Sequence, residues 1–499
     1  MRTKCTFKIV LLLAALAQLA AAQEVVRHPD AAQPLQQRWS WAVEQSSQAR
    51  FKKGYWIGYS IERLMGENST IGSMHIKNGR SFRGAGKSLL ELIHGIATPL
   101  ELPSRYEEKS ERMVMKEVGI FLGFTSGGDE LRKIQESTFE LCVDFKGLPL
   151  LWLGEAEEEQ SLALLEQQYR RTAASETKKD LISAVGLHGE SAPRRTFLAG
   201  VLAGNEDSEI RKQAAFWLGQ VDDPEALRIL RQTAKTDRST EVRKQAVFAM
   251  SQMHLPEAED ALFELARAQT DREVCKDAIF WLAQKGSERA ATFLKDIIYK
   301  GIDDSEIQKH AVFSLTQLPD KQGTVVLLDI AENHRSSAVR KEALFWLGQS
   351  KDTRALRILK QTAQRDGSFE LRKQAVFALS QMHLSEAEDV LIELAQNQAD
   401  REICKEALFW LAQTAAERAV PLLKDTVYKD ADTAIQKQAV FALTQLSDSQ
   451  GIPVLIDIAK NHRNPAVRKE AIFWLGQSGD ARATEALLKI VRGQNDKEE

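Results

Sequence analysis

The sequence predicts a mainly α protein: a right-handed α-solenoid of paired helices, preceded by a small β-rich or α+β domain. Three observations lead there. Nine segments align without gaps at a spacing of 32 or 33 residues, beginning at Asp207, Ser239, Asp271, Asp304, Ser336, Ser368, Asp400, Asp432 and Asn464. Each of those nine residues is a helix N-cap former, whose side chain can accept from an orphan N–H. Residues 24–145 carry no copy of the repeat and hold short alternating stretches rich in aromatic and β-branched residues, which read as strands.

Taken in order, the chain opens on an export signal. Arg2, Lys4 and Lys8 precede an apolar run from Ile9 to Ala17, and Ala20-Ala21-Ala22 satisfies the small-residue cleavage rule, so cleavage is expected after Ala22. The run is too short for a membrane span, which needs about 20 apolar residues. No later segment supplies one, so membrane insertion is not expected. Losing three cations takes Lys+Arg from 67 to 64 against 70 Asp+Glu, a balance of −6. The two signs are interspersed, which argues against a nucleic-acid surface.

Residues 23–145 are expected to form the β-rich or α+β domain. "YWIGYSIERL" (55–64) and "IGSMHIK" (71–77) read as strands, and "VGIFLGFTSGGDELRKIQES" (118–137) as a hairpin turning at Gly127-Gly128-Asp129. Residues 146–206 are expected to hold degenerate capping repeats: one over 150–168, where Trp152 stands 65 residues before Trp217, and another over 176–189. The solenoid proper is expected over 207–492, with a polar tail at 493–499.

Within each repeat, a shorter amphipathic helix A, such as "PEALRILRQTAK" (224–235), precedes a helix B that starts at the cap. Two helices per 32 residues, repeated nine times, make a stack in which each pair buries its neighbour. A longer period overlies this one, since a four-repeat block, 209–337, returns as 338–465. Trp217, Trp281, Trp346, Trp410 and Trp474 alternate in one column with Ala249, Ser314, Ala378 and Ala442. Large against small across neighbours is how layers interdigitate, so the Trp column is expected to be packing.

Paired helices of this length, with a "VRKEA" start to helix B, resemble HEAT repeats, particularly the short type named after phycobilisome lyases. The resemblance covers residues 175–491 and implies an exported, bacterial-like scaffold that binds a protein or peptide. It also implies an Arg early in helix B. Arg211, Arg243, Arg340, Arg372 and Arg468 match, whereas Cys275, Cys404, Gln308 and Gln436 depart from the pattern.

Counting from the cap at 100° per residue, the third, seventh and eleventh residues (Ile210, Ala214 and Leu218 in the first repeat) share a side and must face helix A. The fifth, ninth and thirteenth lie opposite, and they are always Lys, Phe and Gln. The candidate partner-binding residues are therefore Lys309, Phe313, Gln317, Lys341, Phe345, Gln349, Lys373, Phe377, Gln381, Lys405, Phe409 and Gln413. In the HEAT arrangement the resemblance implies that B helices line the concave face, where Phe supplies apolar area and Gln can bond an extended backbone. The competing arrangement wedges Phe between adjacent B helices.

Other chemistry is sparse. "GRSFRGAGKSLLEL" (79–92) has Ser81 where a phosphate-binding loop needs its first Gly, so it reads as a polar loop before a helix. The pairs His254/His383, His334/His462 and Cys275/Cys404 are copies four repeats apart, too distant to share a metal or a disulfide. No cofactor, no metal and no catalytic residue is expected. The alternative to a non-enzymatic scaffold is an enzyme whose site lies in residues 24–145, with the solenoid as substrate-binding arm.

Overall fold

The computed structural model describes residues 23–72, 75–77, 80–82, 87–97, 112–125, 130–268, 270–301, 304–397, 399–414 and 416–492. The signal segment with its cleavage site, the turn expected at 127–129, the glycines of the 79–92 stretch and the 493–499 tail lie outside them. The chain divides after Ala261 into two compact units.

The first unit begins with a five-stranded mixed sheet ordered β1-β7-β2-β5-β6, where β1 is Val25–Arg27, β2 Tyr55–Gly66, β5 Met113–Phe124, β6 Leu131–Thr138 and β7 Leu150–Glu155. A separate two-stranded ribbon joins β3 (His75–Lys77) to β4 (Arg80–Phe82). Strands β2, β5 and β6 are antiparallel, as the alternation of "YWIGYSIERL" and the 118–137 hairpin predict, while β1 and β2 flank β7 in parallel. One face buries Trp56, Phe121, Leu150 and Trp152 with Leu89, Ile93, Phe139 and Phe145. The other carries Tyr55, Ile57, Tyr59 and Leu122, with Trp39 of helix α1 (Leu35–Ser46) set edge-on to Phe124.

Two boundaries differ from the sequence reading. Residues 150–155 are a central strand, so the sheet runs past 145 and Trp152 belongs to its core rather than to the repeat column. Helices α2 (Glu158–Arg171) and α3 (Ser175–Gly186) are the two members of one pair, not parts of two repeats. The apolar run "LLWL" is short and unbroken, and periodicity alone cannot tell such a run from a buried helix segment.

Helix α3 also covers the edge of the sheet. Thr177 Oγ1 donates to the Arg132 carbonyl, and Asp180 accepts from the Ile134 N–H, both on β6. An edge strand left bare would offer unpaired backbone groups to other chains.

In the first unit the array continues through α4 (Ala192–Ala203), α5 (Ser208–Leu218), α6 (Pro224–Thr236) and α7 (Thr240–Gln252). Helix α8 (Pro256–Arg267) spans the boundary. The second unit runs on through α9 (Arg272–Lys285), α10 (Glu288–Asp296), α11 (Ser305–Leu315), α12 (Gln322–Asn333), α13 (Ser337–Gln349), α14 (Arg354–Arg365) and α15 (Phe369–Gln381). It ends with α16 (Ser385–Gln396), α17 (Arg401–Thr414), α18 (Ala416–Lys429), α19 (Thr433–Leu443), α20 (Ile452–Asn461), α21 (Pro465–Gln477) and α22 (Ala481–Val491). The odd-numbered helices from α5 to α21 are the B helices. Their caps fall where expected, and Asp207, Asp271, Asp304, Ser368, Asp400, Asp432 and Asn464 accept from a backbone N–H in the first turn. The inward columns are buried, as Ile210, Ala214 and Leu218 show.

Successive B helices come close because the residue twelve along from each cap is small. A Cβ added to Gly219 would lie 2.6 Å from the Ala249 carbonyl oxygen, and one added to Gly348 would lie 2.8 Å from Ala378 Cα. Both obstacles are backbone and cannot swing away. Gly348→Val is therefore expected to destabilise the second unit by about 1–3 kcal/mol through overpacking. Gly200→Ala, in a helix with open space at that Cβ, should stabilise by about 0.5–1 kcal/mol. Urea titration of the two variants checks the contrast, and equal midpoints would contradict it.

On the helix side of the sheet, Glu136 lies in one row with Ile120 and Tyr59. Burial first, and the Asp180 charge second, push its carboxyl up to about 7. A carboxyl that binds its proton more tightly folded than unfolded gives stability below its ordinary value near 4.5 that is lost as pH rises towards 7. Melting temperature is expected to fall across that interval, and Glu136→Gln should flatten the fall. An unchanged slope in the variant would assign the effect elsewhere.

Candidate protein-binding surface

The candidate columns lie together on one face of the B layer. Lys309, Phe313, Gln317, Phe345, Lys373, Phe377, Gln381, Lys405 and Phe409 are half-buried, while Lys341, Gln349 and Gln413 are exposed. The structure therefore gives neither a free spine nor a closed wedge. Each Phe lies against the next repeat and keeps part of its ring open.

The rings are coupled along the second unit. Parallel Phe pairs stack across consecutive repeats: Phe280 on Phe313 at 6.3 Å between centroids, Phe345 on Phe377 at 6.2 Å, and Phe409 on Phe441 at 6.0 Å. Between pairs a Trp makes the join. Trp346 sits 5.0 Å from Phe313 and 5.0 Å from Phe345, Trp410 4.9 Å from Phe377 and 5.1 Å from Phe409, and Trp474 5.0 Å from both Phe441 and Phe473. The result is an unbroken aromatic ladder from Trp281 to Phe473. In the first unit Phe248, Phe216 and Trp217 make a shorter one.

The Trp column is thus not packing alone. Trp281, Trp346, Trp410 and Trp474 are half-buried on the same face as Phe. Their Nε1 atoms add a polar tether in two repeats, where Trp346 donates to Glu342 and Trp474 to Glu470. The period and the caps gave no sign of this, because Trp stands ten along from the cap, and only the crossing of neighbouring helices brings it onto the Phe row.

The Lys column is neutralised by the protein itself. Lys276, Lys309 and Lys405 pair with the Glu three residues earlier, and Lys373 and Lys437 reach Glu406 and Glu470 on the next B helix. Lys341 stands 3.8 Å from Glu370. The Gln column supplies amides at the far margin: Gln284 donates to Gln317, and Gln381 to Ser380. An apolar strip with self-paired charges on one side and neutral amides on the other suits an uncharged or mixed-charge polypeptide better than a polyanion.

The early Arg column is structural. Arg211 and Arg340 pair with Asp237 and Asp366, and Arg243, Arg372 and Arg468 donate to loop carbonyls at Asp237, Asp366 and His462. The departures keep the donor: Cys275 donates to Ala266, Cys404 to Ala395, Gln308 to Ile298 and Gln436 to Asp430. Burial pushes the Cys275 and Cys404 thiols up to about 11, so they stay protonated and able to donate. His334 and His462 are structural copies too. Their Nδ1 atoms accept the N–H of the following cap residue, and their Nε2 atoms face the Ile298 and Val427 carbonyls.

A serine–histidine contact lies under the sheet. His188 Nε2 is 2.8 Å from Ser161 Oγ, which is 2.9 Å from the Tyr59 hydroxyl. His188 Nδ1 faces the Ala184 and Val185 carbonyls, so it carries the proton and Ser161 donates to Nε2. Burial pulls the imidazole down to about 4, and all three side chains are buried. The arrangement ties α2 and α3 to β2 and opens onto no cavity among the described residues. A cleft of about 510 Å³ between α4 and α6 is lined by Leu202, Ile229, Thr233 and the Arg211–Asp237 pair, whose charges already satisfy each other. Among the described residues no group of three or more His, Cys, Asp or Glu side chains is placed to hold a metal.

Phe345→Ala is expected to cost roughly 1–3 kcal/mol, below the 3–5 of a fully buried ring. Chemical denaturation measures it. No loss would mean a free ring, and a loss above that range a closed wedge.

A family model described as HEAT repeats matches residues 162–251, 195–283, 230–315, 299–380 and 420–499. No curated protein matches the sequence. Among solved structures, human deoxyhypusine hydroxylase is similar at 17% identity, covering 53% of this chain and 96% of that one, with a TM-score of 0.23. The CpcE–CpcF complex of phycocyanin lyase from a Nostoc species is similar at 18% identity, 47% and 94% coverage, and a TM-score of 0.24. The karyopherin Kap121p bound to Pho4p is similar at 14% identity over 67% of this chain, with a TM-score of 0.40, and this chain spans 43% of that one.

Proposed function

The chain belongs to the HEAT-repeat family, and from that premise we propose that it is an exported, non-enzymatic scaffold that holds a protein or peptide on its B-helix face. The observation that carries this reading is the aromatic ladder from Trp281 to Phe473, coupled ring to ring and open along one edge. A half-exposed aromatic row costs little rotamer entropy on binding and offers a large apolar contact. Lys309, Lys373 and Lys405, paired internally, would frame the strip rather than attract a polyanion. Gln349, Gln381 and Gln413 would bond the partner's backbone.

Export rests on the Arg2–Ala22 signal. No helix among the described residues is long and apolar enough to cross a membrane. Catalysis needs an accessible nucleophile or base. The buried Ser161–His188 contact offers neither, which favours a binding role.

Site-directed photo-cross-linking tests the surface. A cross-linker at Gln349 or Gln413 is expected to trap the same protein from the native host, with an A-helix position, Arg357, as the negative control. The double change Phe377→Ala and Phe409→Ala should abolish the adduct. Equal trapping from Arg357 would overturn the assignment. The mature protein recovered in the same experiment should begin at Gln23, and an intact N-terminus would count against export.

A further inference from the structure

Helix α21 keeps the features of a B helix that has another B helix packed on it, but among the described residues nothing occupies that place. Eight residues from the cap, Ile279, Val312, Leu344, Val376, Leu408 and Val440 are completely buried in the second unit, whereas Ile472 in the same column is 37% exposed. Phe473 beside it is 54% exposed, and Leu488 and Val491 of α22 extend the apolar face.

Twelve residues from the cap the chain cycles through small side chains, Gly219, Ser251, Ala283 and Thr316, then Gly348, Ser380, Ala412 and Thr444, and begins again at Gly476. Gly219 and Gly348 are each filled, by Ala249 and Ala378, with no room for a Cβ. Gly476 has nothing within 4 Å of an added Cβ. It thus lacks the close neighbour that occupies the equivalent position in the two earlier copies.

Charge points the same way. The Lys five along from the cap reaches forward in three repeats, Lys341 towards Glu370, Lys373 to Glu406 and Lys437 to Glu470. Those acids stand two or six residues past the next cap. Lys469 makes no ion pair among the described residues.

We propose that the open face of α21 and α22 is a docking seat for one amphipathic α-helix of another protein, with an acid in its first two turns and a small residue set against Gly476. The two filled copies of the seat define what fits. Helix α15, seated on Gly348, has Glu370 two residues past its cap and Ala378 ten past it. An incoming helix so built would bury Ile472 and Phe473 and pair with Lys469. This seat is separate from the Phe row of the B layer, and its failure would leave that reading standing.

The test uses the full chain and a fluorescent, helix-stapled peptide with the sequence of residues 367–382. Saturable binding is expected, weakened at least about tenfold by Gly476→Leu, since overpacking at a helix crossing excludes the partner backbone. Because Gly476 has no neighbour, that variant should melt like the parent, which separates loss of the seat from loss of the fold. Lys469→Glu should also weaken binding, and a peptide carrying A378W should not bind. Phe377→Ala with Phe409→Ala should leave this binding unchanged. Three results would each overturn the proposal: no binding to the parent chain, equal binding to the Gly476→Leu variant, or a dimer of the chain itself that Gly476→Leu dissolves.

Discussion

Close approach of consecutive B helices is the constraint on which the array in each unit depends. A helix pair of this size cannot hide both of its broad faces alone, so it is stable only against a neighbour. The approach is set by the small column twelve along from the cap, received by the column ten along in the next helix. Gly348 against Ala378 is the tightest version that two L-residue helices allow. From that distance follow the buried eighth column, the Phe pairs near 6 Å, and the forward reach of the lysines.

The second element of the design is the donor four residues past each cap. It ties a B helix to the loop or helix end that precedes it, where carbonyls would otherwise lose their partners. Arg does this best, because its fork can also meet an aspartate, as Arg211 meets Asp237. A thiol and an amide meet the minimum requirement, one hydrogen and the right length. Substitutions that look like departures in sequence are therefore equivalent in hydrogen bonding.

Most of the repeat architecture was legible because several signals agree: cap residues, a fixed period and an amphipathic pattern all mark the same boundaries. The antiparallel part of the sheet was legible from alternation in 55–64 and 118–137. Strand β7 was not, since "LLWL" carries no period and its parallel partners lie far away in sequence. The Lys, Phe and Gln columns were found by counting along one helix, and the structure puts them on one face. Counting could not reveal that Trp346 and Trp410 join that face, because their neighbours belong to other helices. Nor could it show that the lysines are already paired, which depends on rotamers and on Glu406 and Glu470 arriving from the next repeat.

Two internal seats, at Gly219 and Gly348, are near-identical and stand 129 residues apart in a duplicated block. A folding chain therefore carries two interchangeable addresses for the same helix. Thermodynamics barely separates the correct docking of α15 from its docking at the earlier copy. What separates them is time: adjacent helices meet through short loops far sooner than segments over a hundred residues apart. Register in this protein is thus held kinetically, by neighbours closing first. Any condition that slows local closure, such as rapid refolding at high concentration, should let copies trade places between molecules.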